Sequence, residues 1–336
     1  MPKPREGSAS FWRDAGAAFA LVFRTPIAAF VFYGLAFTVS FTAMHGAELQ
    51  ALASLSSRKA YLWRVLSALA PTAWTLILIV LLSDWERTRS AWPPTRKGRM
   101  VVALSLFLGM PFVVLPLVSQ YMVWQEDPLV RTALSTAVPI ANSPTRSILI
   151  NLLGLACGVL LASVILGLHL QFIERLPEFQ HRAEQPGSGG LEEDVRWYQR
   201  CREQLGLFLT LCGVIMGTSL LSLSSLRHLL NEALPPTTVF PTSPILGYGV
   251  YYSGLLASAY LPAHRALKNV GQALAEQLAR PSSGAALTLK QRHEEREAAR
   301  TWLGLQRSVL QDFQQALSIL TPLLASISSL ILGPDG

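Results

Sequence analysis

Hydrophobic positions along this chain come in long runs separated by shorter polar stretches. A helix rises about 1.5 Å per residue, so about 20 mostly apolar residues cross about 30 Å of hydrocarbon. Six segments meet that requirement: 26–44, 65–82, 100–123, 148–170, 205–223 and 245–262. The fourth, ILINLLGLACGVLLASVILGLHL, is the clearest, and the sixth is the weakest, being rich in Gly, Ser and Tyr. The pattern predicts an all-α polytopic bundle of six transmembrane helices.

The ends of the chain read differently. Residues 9–24, ASFWRDAGAAFALVFR, predict an interfacial helix that feeds the first span from a cytoplasmic segment 1–25. Residues 263–336 read as a cytoplasmic helical tail behind the 26–262 bundle. Within it, Thr288 to Gln291 has a capping-box pattern and Glu294, Glu295, Arg296 and Glu297 make a polar helix. From 302 onward the helix is expected to turn amphipathic. Leu303, Leu310, Leu317, Leu324 and Ile331 recur every seven residues, with Phe313, Leu320 and Ile327 at the complementary positions. Gln306 and Pro322 interrupt this seam. No charge falls between Gln314 and Pro334, so 316–332 is either part of an amphipathic packing helix or a seventh or re-entrant span.

Charge adds orientation. Only 15% of the 336 residues are charged while 51% are hydrophobic, against about 25% charged in soluble domains. With the N-terminus inside, the inner segments hold 22 Lys and Arg and the outer loops hold six: Arg58, Lys59, Arg64, Arg131, Arg146 and Arg227. That asymmetry predicts both termini on the cytoplasmic side. The net charge of +7 is thereby explained by topology and does not point to nucleic acid. Trp63, Trp85 and Trp124 fall at span ends, where interfacial anchors belong. Arg outnumbers Lys heavily, and with abundant Ala and Leu this suggests a bacterial plasma-membrane protein. The first span has no clear cleavage site and reads as uncleaved.

Two GxxxG patterns, Gly154 with Gly158 and Gly213 with Gly217, lie in the fourth and fifth spans. They put small surfaces where backbones can approach, either between spans four and five or between subunits. Gly109, Pro111 and Pro116 in the third span predict a kink that frees backbone carbonyls. The loop 83–99 carries Arg87, Arg89, Arg96, Lys97 and Arg99, a topology determinant that also suits contact with anionic lipid.

The chemistry that the spans lack is equally informative. The predicted cores contain no acid, Lys or Arg, and only His169 comes near, at the inner edge of the fourth span. Proton coupling through a buried carboxylate and an ordinary voltage sensor are both disfavoured. The six histidines make no HExxH spacing, and neither GxSxG nor Walker A occurs. The acidic groups around 192–194 and 294–297 lie among arginines and read as solvated helix faces. Cys157, Cys201 and Cys212 are too scattered for a disulfide framework or a zinc site. No catalytic, cofactor-binding or metal residue is assigned.

Gly247-Tyr248-Gly249 spells part of a potassium selectivity filter, which uses backbone carbonyls backed by a pore helix. Here the preceding residues hold Pro235, Pro236, Pro241 and Pro244, which forbid that helix. Gly249, Gly254 and Ser258 instead read as the small-residue surface of the sixth span, with Tyr248, Tyr251 and Tyr252 anchoring its outer end.

Together these features predict a non-enzymatic multi-pass membrane protein, pore-like or a complex subunit, self-associating or bound to another membrane subunit. The six-span layout with a leading interfacial helix resembles an ABC-2-type permease, although the tail after 262 departs from that pattern. The resemblance implies an ATPase partner. A membrane enzyme acting on lipid is the remaining alternative.

Overall fold

The computed structural model describes residues 26–45, 58–126, 128, 131, 143–184, 190–233, 243–279, 289–306 and 311. Several expected features lie outside them: the interfacial helix 9–24, the breaks at 185–189 and 280–286, and the proline-rich 234–242. So do the Thr288 cap, the Trp124 side chain, residues 316–332, and the seam positions Leu310, Phe313, Leu317, Leu320, Leu324, Ile327 and Ile331.

Every described element is an α-helix: α1 Pro26–His45, α2 Arg58–Ser83, α3 Trp85–Ser90, α4 Arg96–Glu126, α5 Ser143–Glu184, α6 Leu191–Ala233, α7 Ser243–Leu278 and α8 Leu289–Trp302. All six predicted spans fall on helices. Four stretches are long and apolar enough to cross a membrane: Tyr61–Ser83, Arg96–Ser119, Ile150–Arg182 and Leu191–Asn231. The described apolar stretch of α1, Val31–Ala43, is shorter. The helix α7 is diluted by Gly, Ser and Tyr and is not among the four.

The helices α5 and α6, of 42 and 43 residues, would each be about 64 Å long, roughly twice the hydrocarbon thickness. The polar stretch 171–204 between the fourth and fifth predicted spans is therefore mostly the continuation of these two helices. Arg182 joins them by an ion pair to Asp194, 2.6 Å away, across their connection. Glu192, Glu193 and Asp194 occupy the first turn of α6, where negative charge complements the helix dipole. The core that contains Leu161, Ile165 and Leu205 continues unbroken into this extension. Phe172, Phe179, Tyr198, Val270, Leu274 and Leu303 are buried together, with Trp197 packed on both phenylalanine rings.

The helix α8 closes that extension, and it stops where the sequence pattern suggested continuity. Gly304 has φ +67°, its N–H donates to the Thr301 carbonyl, and the Leu305 N–H donates to the Arg300 carbonyl. These two bonds form a Schellman ending, which requires the left-handed conformation that glycine adopts without penalty. Periodicity carried the helix past 302 because the single glycine does not disturb the heptad count. Leu303, the first seam position, is fully buried in the extension core.

The basic loop is ordered against the bundle. Gln171 of α5 donates to the carbonyls of Ser90 and Trp92 at 2.9 and 3.0 Å. Gln204 of α6 donates to the Arg87 carbonyl at 2.9 Å, and Trp92 donates to Ser163 at 3.1 Å. Gly167 allows the approach, because a Cβ there would stand 2.6 Å from the Ala91 carbonyl oxygen. Gly167→Ala should therefore push the linker outward and cost about 1–3 kcal/mol. Gln171→Ala should cost a similar ~1–3 kcal/mol by stranding two carbonyls. Gly206→Ala, where a Cβ meets nothing within 4 Å, is the control. Thermal unfolding of purified protein checks the set, with lowered midpoints for the first two and none for the third.

Candidate functional site

Where α2, α5, α6 and α7 diverge, and α4 crosses their open side, a cavity of about 520 Å³ remains. Its origin lies in packing. Gly154 of α5 sits under the Trp74 ring of α2, with a Cβ position 3.0 Å from the ring atoms. One turn further along α5, Gly158 has nothing within 4 Å of its Cβ position and lines the cavity. The close contact and the void thus share one GxxxG.

The lining is mainly apolar, and its hydroxyls are largely satisfied by their own helices. Ser67, Ser105, Ser219 and Ser258 each donate to a carbonyl three or four residues earlier, at 2.7 to 3.0 Å. Such back-bonding leaves lone pairs, not donors, towards the space. Two polar groups on the lining are not satisfied this way. The Trp74 indole N–H is buried and has no partner among the described residues. Asn151 lies one turn before Gly154 on α5 and also lines the cavity. No Asp, Glu, Lys, Arg or His is among the lining residues.

The open side is held by tyrosines. Pro116 has no N–H, so the carbonyl of Phe112 loses its helical donor. The Tyr251 hydroxyl of α7 supplies one at 2.7 Å. Tyr252 reaches the Val113 carbonyl at 3.5 Å, a weaker contact, and Tyr248 hydrogen-bonds Ser119. Apart from these contacts α4 is little buried, and Met100, Leu104, Phe107, Leu108 and Phe112 are exposed on it.

The predicted residues are spread over several helices, some placed as expected and some not. Gly247-Tyr248-Gly249 lies in the first turns of α7, so its backbone follows a helix and not an extended filter. The three tyrosines meet α4 instead of serving only as outer anchors. Trp63 is 6% exposed and lines the cavity, so it is no surface anchor. Trp85 is exposed and packs edge-on against Trp92. Gly213 is buried and Gly217 half-buried on α6, a Cβ on Gly249 would stand 3.5 Å from Leu220 of α6, and Gly254 is exposed. His169 hydrogen-bonds the backbone of Pro262 in α7. Arg87, Arg89, Arg96, Lys97 and Arg99 are all exposed, and Arg87 faces Asp84 and Glu203.

Two residues escaped the sequence pattern. Arg64 lies inside the candidate span Tyr61–Ser83 and is 2% exposed, although the apolar run was counted from 65. The charge itself set that boundary. Trp74 offered no signal beyond its position facing the fourth-span glycines. Among the described residues, no three of His, Cys, Asp and Glu come together as a metal-binding group. No protein-family model, curated protein or solved structure matches the chain.

Tyr251→Phe should detach α4 locally by stranding the Phe112 carbonyl. Interhelical bonds of this kind in membranes contribute about 0.6 kcal/mol on average and up to about 1.7. A loss in that range, with faster proteolysis on α4, is expected from unfolding in detergent and limited digestion.

Proposed function

We propose that this chain is a non-enzymatic multi-pass membrane protein that holds an apolar molecule carrying an uncharged polar group within its bundle. The cavity carries this reading. A volume of about 520 Å³ falls within the roughly 300–1,000 Å³ of small-molecule sites, and apolar walls with few polar groups are their usual chemistry. An ion or proton would need charged or strongly polar lining, which this cavity does not offer. Asn151 on the wall suits a hydroxyl or carbonyl oxygen on the ligand.

The finer elements belong to the same proposal. Six spans with both termini inside fit the helix boundaries and the distribution of Lys and Arg. A bacterial plasma membrane fits the composition. Association with a second copy, or with another membrane subunit, fits the broad apolar face of α4. The permease alternative gains from the cavity, since a transported lipid-soluble molecule needs such a place, and an ATPase partner would then supply energy.

Gly158→Leu tests the reading, because its added side chain enters open space and not a neighbour. A photoactivatable long-chain alcohol should label residues of α5 and α7 in the native chain. Labelling should fall about tenfold in Gly158→Leu with unfolding unchanged. Asn151→Leu should weaken capture of the alcohol but not of the matched hydrocarbon. Labelling confined to the outer face of α4, or indifferent to Gly158→Leu, would sink the proposal.

A further inference from the structure

A second, smaller space lies where α6, α7 and the end of α8 meet. It has a volume of about 40 Å³ and is lined by Tyr198, Arg202, Tyr260, His264, Lys268 and Gly304, among others. About 10–15 Å³ holds one water, so this space has room for a phosphate group. Its walls are cationic. Arg202 directs Nη1 to the Leu303 carbonyl at 2.9 Å, which fixes the guanidinium over Gly304. A Cβ on residue 304 would overlap that guanidinium, so the glycine serves both the turn and the seat of the arginine. Among the described residues, no carboxylate lies within 4.0 Å of Arg202 or Lys268. The adjacent Glu203 turns to Arg87, 3.7 Å away.

The level of this space in the bundle is fixed independently. The apolar run of α2 ends at Ser83, that of α5 near 170, that of α6 starts at 205 and that of α7 ends near 262. Gln171 and Gln204 bind α3 and its flank at this same level. Tyr198 and Tyr260, both buried, line the space itself.

We propose that Arg202, Lys268 and His264, with the Tyr198 and Tyr260 hydroxyls, bind the phosphate of an anionic lipid headgroup. The inference rests on the reading that the bundle spans a membrane, and it is independent of what fills the larger cavity. The phosphate takes charge-assisted hydrogen bonds from the arginine and lysine. Among the described residues no carboxylate stands beside Arg202 or Lys268 to hold a choline or ethanolamine cation, so a headgroup with net negative charge is preferred. An α8 carbonyl held by the same arginine ties this site to the closing of the extension.

The test uses the full chain in neutral detergent, titrated with short-chain phosphatidylglycerol, short-chain phosphatidylcholine or inorganic phosphate, with the unfolding midpoint as readout. Phosphatidylglycerol should raise the midpoint at about tenfold lower concentration than phosphatidylcholine. Lys268→Gln should erase that difference; Lys268 is exposed, so the variant should fold. Arg265→Gln removes the same charge from the same helix, is not on the lining, and should retain the difference. Equal responses to the two lipids, or equal losses in both variants, would reduce the site to general surface charge and overturn the proposal. A matching effect of inorganic phosphate would reassign the site to free phosphate and also overturn it. Retention of the chain in alkali-washed membranes, scored on the same preparation, separates failure of the site from failure of the membrane reading.

Discussion

A backbone carbonyl that loses its helical N–H inside an apolar bundle must find another donor, because no water is there to supply one. Much of this structure follows from where those donors come from. Pro116 frees the Phe112 carbonyl, and Tyr251 answers from α7. The turn after α3 leaves the Ser90 and Trp92 carbonyls outside any helix, and Gln171 answers both. The end of α8 leaves the Leu303 carbonyl, and Arg202 answers from α6. Each donor sits on a different helix from the group it satisfies. The same bonds that remove an energetic penalty therefore fix how the helices stand against one another.

This arrangement accounts for the coexistence of a dense core and a cavity. The extension formed by α5, α6, α7 and α8 is packed by large apolar side chains and closed by Arg202 and by Gln277, which donates to the Phe179 carbonyl at 2.7 Å. In the other half, α4 packs chiefly along α5 and reaches α7 mainly through tyrosine hydroxyls that bond its carbonyls. A hydrogen bond sets a separation without filling the space beside it. The void next to Gly158 lies where α4 and α7 are bridged by those bonds and little else.

How much of this the sequence discloses depends on the range of the interaction. The six apolar runs are local signals, so the existence of their helices was legible. Helix ends governed by distant partners were not. The stretch 171–204 looks like a solvated connection because its charges and polar residues dominate any window. Yet Phe172, Phe179, Val195 and Tyr198 recur there at helical spacing and are buried against α7. Gly304 breaks a heptad pattern without altering its count, and only the hydrogen bonds of the turn reveal the stop. The glycine of a GxxxG is visible in sequence, whereas the Trp74 ring that Gly154 receives is 80 residues away. Gly-Tyr-Gly shows the converse: a strong spelling with no matching backbone, since the helix α7 has already begun at Ser243.

The two candidate sites divide along the same physical line. Within the bundle, hydroxyl donors are turned back on their own helices, and the wall offers an apolar ligand little to compete with. At the level of Gln171 and Gln204, cations are held in place while acids are paired elsewhere, as Glu203 is with Arg87. A molecule with an apolar body and an anionic head would meet both environments in succession along α6. Tyr198, Arg202 and Leu205 lie on the same helical face as Cys212, Met216 and Ser219, at spacings of three, four and seven residues. That shared face makes α6 the element through which occupancy of one site would be felt at the other. Any movement of α6 that opens the lower space must also shift the wall of the upper one.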